Sequence, residues 1–273
     1  MKKTEKVAVF NDEFRDLAKA GGMSEAGQGF LTGKKISVPD LFCNCCGKPV
    51  HNYSVTKPSS NVQYFACHDG LTLHDSIVNN MSIDESTEEG KIEAVNRLKL
   101  ANALLLTSQG IAFLHAGQER GRTKPAFTTA GTSDCETIGN FVKNSYDSSD
   151  NINNFIWNLS DLNKDLFEYT KNLIALRKNN SVFTISTQDE VMSRISLLGE
   201  YCEDFFMVYK ILDEKGDWYL FFNSDNEDKN IGSIKEGKLA NFIILDKNPL
   251  LYNPSKYNEI EVYTLVLEGK ILP

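Results

Sequence analysis

His68 and Asp69 are adjacent in the stretch NVQYFACHDGLTLHDS (residues 61–76), where an apolar run ends and a helical pattern begins. An imidazole beside a carboxylate can bind a ligand or take part in proton transfer when suitable partners lie nearby. The structural alternative is that Asp69 caps the turn after a strand, which is a common use of Asp. The pair is therefore a candidate site whose chemistry depends on the partners that the fold supplies.

A second group of potential ligands lies in LFCNCCGKPVH, where Cys43, Cys45, Cys46 and His51 could supply four zinc ligands. Structural zinc sites typically pair their ligands across gaps of two to four residues, whereas the spacing here is C-x-C-C-x4-H. The side chains of the adjacent Cys45 and Cys46 are expected to diverge, which is unfavourable for one tetrahedral ion. We therefore expect a loop with incidental thiols, and we expect no metal and no cofactor.

The composition limits the kind of protein and its partners. The chain has 273 residues, a net charge of −8, 41% hydrophobic residues and 24% charged residues, as in soluble globular proteins of one or two domains. The acidic excess disfavours nucleic acid as a partner, because phosphate binding requires a basic surface. The chain has no run of the roughly 18 apolar residues that cross a membrane, and no apolar signal segment follows MKKTEK. Six cysteines do not suggest a disulfide scaffold in so long a chain, so we expect a cytoplasmic location.

Strands and helices alternate in the first part of the chain, and this order must position the candidate pair. Short apolar runs predict the strands, and helical spacing of apolar residues predicts helices between them. The predicted strands cover 7–10, 62–67 and 111–114. Such βα units form a parallel sheet, and in a βα barrel the carboxyl ends of the strands carry the active site. The polar residues that fall at these ends are His68, Asp69, His115, Gln118 and Glu119.

The pattern changes after the third predicted strand. Residues 121–151 are rich in Thr, Ser, Gly and Asn and predict a polar loop, and a helix with a broad apolar face is predicted over 162–178. From Thr184 onward the sequence favours strands, which include DWYLFFNS, GKLANFIILDKNP and a terminal hairpin that turns near Glu268 and Gly269. The C-terminal region is therefore expected to be mostly β.

Four blocks of the chain together carry a family resemblance. VAVFNDEFRD, NVQYFACHDGLTLHD, LANALLLTSQGIAFLHAGQE and NSYDSSDNINNFIWN occur in this order, and they resemble consecutive blocks of type I pullulanases. These are the α-1,6-debranching members of the α-amylase superfamily of glycoside hydrolases. The resemblance extends from about residue 7 to about residue 222. It implies a (β/α)8 barrel that hydrolyses α-1,6 links in pullulan, glycogen or starch, with an α-glucan as the partner.

The resemblance assigns roles to the opening pair. Asp69 matches the family's transition-state-stabilising aspartate after the seventh strand, and His68 matches the neighbouring substrate-binding histidine. Retaining glycosidases also need a nucleophile and an acid/base, about 5 Å apart. VAVFNDEFRD matches the sixth strand, and none of the nearby carboxylates, Asp12, Glu13, Asp16 and Glu119, matches the positions of those two groups. We therefore expect an α/β fold with an incomplete (β/α)8 barrel, strands six to eight, and no activity from these 273 residues alone.

The block NSYDSSDNINNFIW resembles a family loop that lines the glucan cleft. Amide and carboxylate side chains of that loop bond sugar hydroxyls, and its aromatic rings stack on sugar rings. The matching residues are Asn144, Tyr146, Asp150, Asn153 and Trp157. The departures from the family pattern are Asp147, Ser149 and Ile156 in this block, with Gly70 for Asn and His74 for Trp after the candidate pair. The loss of that Trp puts substrate affinity in question.

The tail resembles a different family. GSIKEGKLANFIILDKNPL and EIEVYTLVLEGKILP are similar to the C-terminal end of metal-dependent amidohydrolases, with Asn241 in place of the usual Asp. No histidine follows His115, so no metal chemistry is expected from this tail. The predicted domains are 1–183, the C-terminal part of a barrel, 184–229, the start of a pullulanase-like β domain, and 230–273, an amidohydrolase-like β tail.

Two alternatives to a debranching hydrolase stay open from the sequence. The tail favours an amidohydrolase-type enzyme that acts on C–N bonds, and the surviving cleft residues favour a glucan-binding chain without catalysis. Strands six and eight would also be unpaired edges of the sheet, which predicts possible self-association.

Overall fold

We describe the chain from a computed structural model. The description covers residues 7–20, 25–126, 135–214 and 216–225, together with the backbone of the strands at 242–245, 262–267 and 270–272. The chain divides into two compact units, Met1–Asp225 and Asn226–Pro273, and each is described by itself.

A small parallel sheet lies in the first unit, with β1 at Val9–Phe10, β2 at Asn61–Gln63 and β3 at Ile111–Ala112. Its order is β1-β2-β3, and both pairs of strands run parallel. This confirms the predicted parallel βα arrangement and the α/β class. The predicted strand ends at 67 and 114 are wrong, because each outer strand pairs through two residues only and the ladder stops at Gln63 and Ala112.

Helices connect and cover these strands. They are α1 Asp12–Ala18, α2 Val38–Cys45, α3 Leu73–Met81, α4 Glu88–Thr107, α5 Asp150–Asn153, α6 Asp161–Asn179 and α7 Gln188–Arg194. The helices predicted between the strands and over 162–178 are confirmed as α1, α4 and α6. The loop predicted around the cysteines is wrong, because Ser37 caps α2 and a proline occupies its first turn, and both favour helix initiation.

The hydrophobic core of the first unit forms between α4 and the elements around it. Leu98, Ala101 and Leu105 recur at helical spacing along α4, and all three are fully buried. One helical turn from Leu98, Asn102 Nδ2 donates a hydrogen bond of 2.9 Å to Thr170 Oγ1 of α6. The same core includes residues that follow β2 and β3, so it anchors these segments together with α4.

An antiparallel sheet shares this core. It contains β6 at Ile195–Leu197, β7 at Phe206–Ile211 and β8 at Trp218–Asn223, in the order β6-β7-β8. Met207 and Tyr209 are buried in the same cluster as the α4 residues. The strand predicted in DWYLFFNS is confirmed as β8, and α7 is a helix within the region that was predicted to be mostly β.

The segment predicted as a polar loop at 121–151 contains a short hairpin. It consists of β4 at Thr137–Ile138 and β5 at Phe141–Val142. Phe141 and Val142 are buried, and burial of these two apolar residues gives the hairpin its place against the rest of the unit. The hairpin carries the chain toward Asn144.

The second unit contains three strands, β9 Phe242–Leu245, β10 Val262–Leu267 and β11 Lys270–Leu272, in the antiparallel order β11-β10-β9. The terminal hairpin is confirmed, with Leu267 opposite Lys270, and its predicted turn lies outside the described residues. Of the helices in the described part of the chain, none combines the length and the apolar character that crossing a bilayer requires. The cytoplasmic location stays a prediction.

Candidate functional site

His68 and Asp69 lie on an exposed turn, five residues beyond the end of β2 at Gln63. Their side chains are 78% and 70% exposed, and His68 Nε2 lies 3.3 Å from Asp69 Oδ1. Between the strand and the turn, Tyr64, Phe65 and Ala66 are buried and anchor the segment in the core. The predicted pair is therefore presented to solvent by a rigid support.

Asn144 attaches this turn to the loop that follows β5. Its Oδ1 accepts a hydrogen bond of 2.7 Å from the Gly70 N–H, and its own N–H donates one of 3.1 Å to the Gly70 carbonyl. Its Nδ2 also donates to Glu136 Oε2, at 3.1 Å. Asn144 has a φ of +51°, a left-handed conformation that Asn adopts more readily than most residues. The structure thus brings two predicted site residues, Asp69 and Asn144, to one place.

A buried ion pair lies against the other side of the turn. Lys19 Nζ donates to Glu25 Oε2 at 2.6 Å, and both side chains are almost fully buried. Gly70 has a φ of +76°, and a Cβ at this position would lie 2.0 Å from Glu25 Oε1. Burial lowers the pKa of Lys19 and outweighs the attraction of Glu25. Sequence reasoning missed this pair, although the replacement of the family's Asn by Gly70 was a signal of a changed neighbour.

Asn153 is used mainly by the protein itself. Its Oδ1 accepts a hydrogen bond of 2.8 Å from Ser145 Oγ, and its Nδ2 donates to the carbonyls of Ser145 and Ser148. Lys124 Nζ donates to the same Ser145 hydroxyl, and burial together with Arg122 lowers the pKa of Lys124 to about 8. These bonds fix the shape of the loop that carries the remaining predicted residues.

The exposed face of that loop carries Tyr146, Asp150 and Trp157. Tyr146 is 74% exposed and Trp157 is 77% exposed, and Asp150 is also exposed at the start of α5. Arg120 holds Trp157, because its guanidinium lies 5.4 Å from the centre of the indole and its Nη2 donates to the Trp157 carbonyl at 2.9 Å. Aromatic faces held in this way offer flat apolar surfaces to a ligand.

The polar side chains predicted at the end of the third strand mostly bond to other groups of the protein. Gln118 Nε2 donates to Asn102 Oδ1 at 2.8 Å, and Glu119 Oε2 accepts from the Gly117 N–H at 3.0 Å. His115 is half-buried, and burial with the nearby cations Lys124 and Arg122 lowers its pKa to about 4. Its imidazole is therefore neutral near pH 7.

His74 is buried in α3 and does not take the place of an exposed aromatic residue. Its Nδ1 lies 3.1 Å from Asp75 Oδ1 and its Nε2 lies 2.9 Å from Glu85 Oε1. Burial opposes the charged imidazolium, but hydrogen bonds and attraction from both carboxylates raise the pKa of His74 to about 9. Asp75 also accepts hydrogen bonds from Thr123 and from the Lys124 N–H, which ties α3 to the segment after β3.

The acidic residues near β1 serve the structure. Asp12 Oδ1 accepts from the Tyr64 hydroxyl and, at 3.2 Å, from Arg15, which also donates to Asp16 at 2.8 Å. Glu13 is buried; burial would raise its pKa, but hydrogen bonds from Asn44 and from the N–H groups of residues 50–52 lower it. These contacts give the three carboxylates internal partners, which does not favour them as substitutes for a glycosidase nucleophile or acid/base.

The cysteines predicted to be incidental are free thiols in and beside α2. Cys45 and Cys46 are buried, and Cys43 is partly exposed. Burial raises the pKa of the Cys45 thiol to about 12, which makes it a poor nucleophile near neutral pH. The His51 imidazole lies beside a carboxylate, with Nε2 3.6 Å from Asp40 Oδ2.

No family model matches the chain. The chain is 35% identical over 267 residues to Pullulanase A of Streptococcus pneumoniae (strain D39), and the alignment covers 85% of this chain and 21% of that protein. The chain thus spans about a fifth of the length of this curated relative. Most of the chain is therefore similar in sequence to a part of a pullulanase.

Solved structures show the same similarity in three dimensions. The product complex of SpuA, a multi-modular glycogen-degrading pneumococcal virulence factor, aligns with a TM-score of 0.76 and 33% identity, over 83% of this chain and 26% of that one. The Group B Streptococcus pullulanase SAP in complex with maltotetraose aligns with a TM-score of 0.74 and 32% identity, over 83% and 32% of the two chains. These comparisons give no support to the amidohydrolase resemblance of residues 230–273, most of which lie outside the described residues.

Proposed function

We propose that the first unit is part of the catalytic barrel of a pullulanase-type glycoside hydrolase that acts on α-1,6 links in pullulan, glycogen or starch. The observation that carries the proposal is the turn of His68 and Asp69, which Asn144 holds at the carboxyl side of a parallel strand. The similarity to pullulanases over most of the chain supports it. In this proposal β1, β2 and β3 are the sixth to eighth strands of a (β/α)8 barrel.

The proposed roles follow from exposure and hydrogen bonding. Asp69 is exposed and stabilises positive charge on the sugar in the transition state, and His68 binds a sugar hydroxyl beside it. Tyr146 and Asp150 are exposed and contact the glucan. Asn144, whose side-chain amide is occupied by protein partners, positions the turn.

Retaining hydrolysis needs two further carboxylates, about 5 Å apart, one as nucleophile and one as acid/base. Among the described residues, Asp69 is the one carboxylate that matches a catalytic position of the family. We therefore propose that these 273 residues bind glucan but do not hydrolyse it by themselves, which keeps the glucan-binding alternative. The similarities of the chain give the amidohydrolase alternative no support.

Maltotetraose binding tests the proposal, because this sugar is bound in the structure of the pullulanase SAP. Calorimetric titration of the purified chain is expected to show binding that Asp69→Ala and Tyr146→Ala each weaken by about tenfold, as for the loss of one good contact. Tyr201→Ala is the matched control, since Tyr201 is 55% exposed on the antiparallel-sheet side of the unit. Equal affinity for all four proteins would contradict the proposed site.

Hydrolysis of pullulan by the purified chain is expected to stay at background, with no change on Asp69→Ala. Removal of the nucleophile or the acid/base takes away most of the catalytic path, because the remaining groups only bind and orient. Turnover that Asp69→Ala abolishes would show that other carboxylates of the chain fill these roles.

The predicted domain boundaries at 183/184 and 229/230 are a further part of this proposal.

A further inference from the structure

Three potential metal ligands converge on the turn that carries Asp69. The thiol of Cys67, the imidazole of His68 and the carboxylate of Asp69 place ligand atoms within 4.8 Å of one another. In the described part of the chain, no other three His, Cys, Asp or Glu side chains bring their ligand atoms this close together. Cys67 is partly exposed and the other two are exposed, so an ion can reach all three from solvent.

The separations agree with a tetrahedral zinc ion. With Zn–N and Zn–O bonds of about 2.0–2.1 Å, the edge between a nitrogen and an oxygen ligand is about 3.3 Å. His68 Nε2 and Asp69 Oδ1 are 3.3 Å apart. Rotation of an exposed side chain adjusts the remaining distances from the thiol, which lie within the same 4.8 Å limit. Three protein ligands leave the fourth position of the ion open to water.

Contacts on both sides hold the turn in place without an ion. Asn144 holds the backbone of Gly70 on one side through two hydrogen bonds, and Glu25 fills the space against Gly70 on the other. A ligand set on a fixed turn loses little conformational entropy when it binds an ion, which favours affinity.

Carboxylates balance the positive charges of the two cations near the turn. Lys19 is paired with Glu25 at 2.6 Å, and Arg15 is paired with Asp12 and Asp16 at 3.2 and 2.8 Å. A thiolate and a carboxylate in the ligand set add two negative charges, and the mixture of sulfur, nitrogen and oxygen ligands suits zinc better than magnesium or calcium.

We propose that Cys67, His68 and Asp69 form a binding site for a zinc-like divalent cation. The occupied site covers Asp69 and His68, so the cation and a glucan compete for the same turn. Cys67 is the residue that makes the site specific for a thiophilic ion, and it has no assigned part in binding sugar. The competition rests on the proposed function, whereas cation binding does not.

Cobalt(II) tests the cation site, because a thiolate bound to cobalt(II) gives a sulfur-to-metal charge-transfer band in the near ultraviolet. The reduced chain is expected to develop this band and to saturate at one equivalent of Co²⁺, which Zn²⁺ then displaces. Cys67→Ser is expected to lose the band, and His68→Ala to weaken binding by at least about tenfold. Retention of the full band by Cys67→Ser would overturn the proposal.

Cys43→Ser is the matched control, because Cys43 is also partly exposed and lies near Asp40 and His51 in the sequence. It is expected to keep the band and the stoichiometry of the unaltered chain. Loss of the band in Cys43→Ser, with retention in Cys67→Ser, would place the ion at the cysteines of α2 and would contradict the proposal. Thermal unfolding of each variant checks that the folded state is kept.

Maltotetraose titration with and without Zn²⁺ then tests the competition. Zn²⁺ is expected to weaken sugar binding by the chain by tenfold or more, and to have no effect on sugar binding by Cys67→Ser. Unchanged sugar affinity in saturating Zn²⁺ would overturn the competition. Absence of sugar binding at any Zn²⁺ concentration would contradict the proposed function and leave the cobalt result as the test of the cation site.

Discussion

At the scale of single residues, Gly70 shows how the candidate turn depends on its neighbours. Its φ of +76° favours glycine, and the space where a Cβ would lie is taken by Glu25 Oε1. Glu25 cannot move away freely, because its other oxygen is held by the buried Lys19. The family's usual Asn at this position therefore does not fit this chain without a shift of the ion pair.

We expect Gly70→Ala to lower the free energy of unfolding by about 2–3 kcal/mol, from left-handed strain and from overpacking against Glu25. Gly33→Ala is the control, because Gly33 has a φ of +83° and a methyl group at that position would have no neighbouring atom within 4 Å. It is expected to cost only the strain, about 1 kcal/mol. Urea unfolding of both variants measures the difference, and equal losses would show that Glu25 does not restrict the turn.

His74 makes stability depend on pH. Its folded pKa of about 9 lies above the ordinary value of 6.5 because Asp75 and Glu85 favour the imidazolium. The stabilisation is therefore complete below about pH 6.5 and is lost as pH rises through about 9, with an upper size of about 3 kcal/mol. Lys124 has the opposite effect, because its pKa is lowered to about 8 from the ordinary value of 10.5. Its contribution to stability therefore rises with pH between these two values.

The difference between the chain and His74→Gln isolates the contribution of His74. Unfolding free energies measured from pH 6 to pH 9.5 are expected to differ most at the acid end and to converge at the alkaline end. His51→Gln is the control, since the His51 side chain is 69% exposed. A difference that stays constant across this range would contradict the assigned pKa of His74.

The sequence predicted which residues form the candidate site, but not which partners their side chains bond. Asn144 and Asn153 matched cleft positions, yet their amides mainly bond the protein. The partners of Asn144 include Gly70, which is 74 positions away. Hydrogen-bond partners so distant in the sequence depend on the tertiary fold, and local spacing carries no information about them.

At the scale of elements, the long helices were predictable and the short elements were not. Helix α4 has both a cap and a long apolar repeat, so local signals and burial agree over its length. Strand β2 is three residues long and ends where its partners end, which the apolar run to Cys67 could not reveal. Helix α2 was predicted as a loop, because the cysteine spacing was weighed only against a metal site, while Ser37 and a first-turn proline indicated a helix start.

Arg177 shows how two helices fix each other's ends. Its guanidinium donates to the carbonyls of Leu106, Ser108 and Gly110 at 2.9, 2.6 and 2.6 Å, so a residue near the end of α6 satisfies carbonyls at the end of α4. Burial lowers the pKa of Arg177 to about 10, yet the group stays charged near pH 7. Three acceptors on one fork explain why arginine suits this position.

We expect Arg177→Ala to lower the free energy of unfolding by about 2–4 kcal/mol, since buried carbonyls lose a charged donor. Arg177→Lys is expected to recover only part of this loss, because one ammonium group cannot span three carbonyls. Lys178→Ala is the exposed neighbour and is expected to change stability by less than about 0.5 kcal/mol. Full recovery by Lys would show that the helix ends require a positive charge and not the planar guanidinium with its several donors.

At the scale of the whole molecule, the parallel sheet has two outer strands. The order β1-β2-β3 leaves β1 and β3 at the edges among the described strands, and Phe10 and Ile111 on them are 44% and 45% exposed. Phe10 is partly covered by the rings of Tyr64 and Phe113, at 4.9 and 5.5 Å. Ile111 is therefore the clearer apolar position on an edge that can pair with another strand.

We expect the purified chain to self-associate through this edge, because unpaired N–H and C=O groups beside an apolar side chain favour strand addition. Ile111→Lys is expected to shift the population toward monomer in sedimentation velocity, since a charge on the edge strand opposes pairing. Met192→Lys is the control, as Met192 is 54% exposed on α7, away from the parallel sheet. An unaltered chain that stays monomeric across the accessible concentrations would contradict the expectation. Equal association of the two variants would instead place the contact on another surface, because only one of the two charges lies on the edge of the parallel sheet.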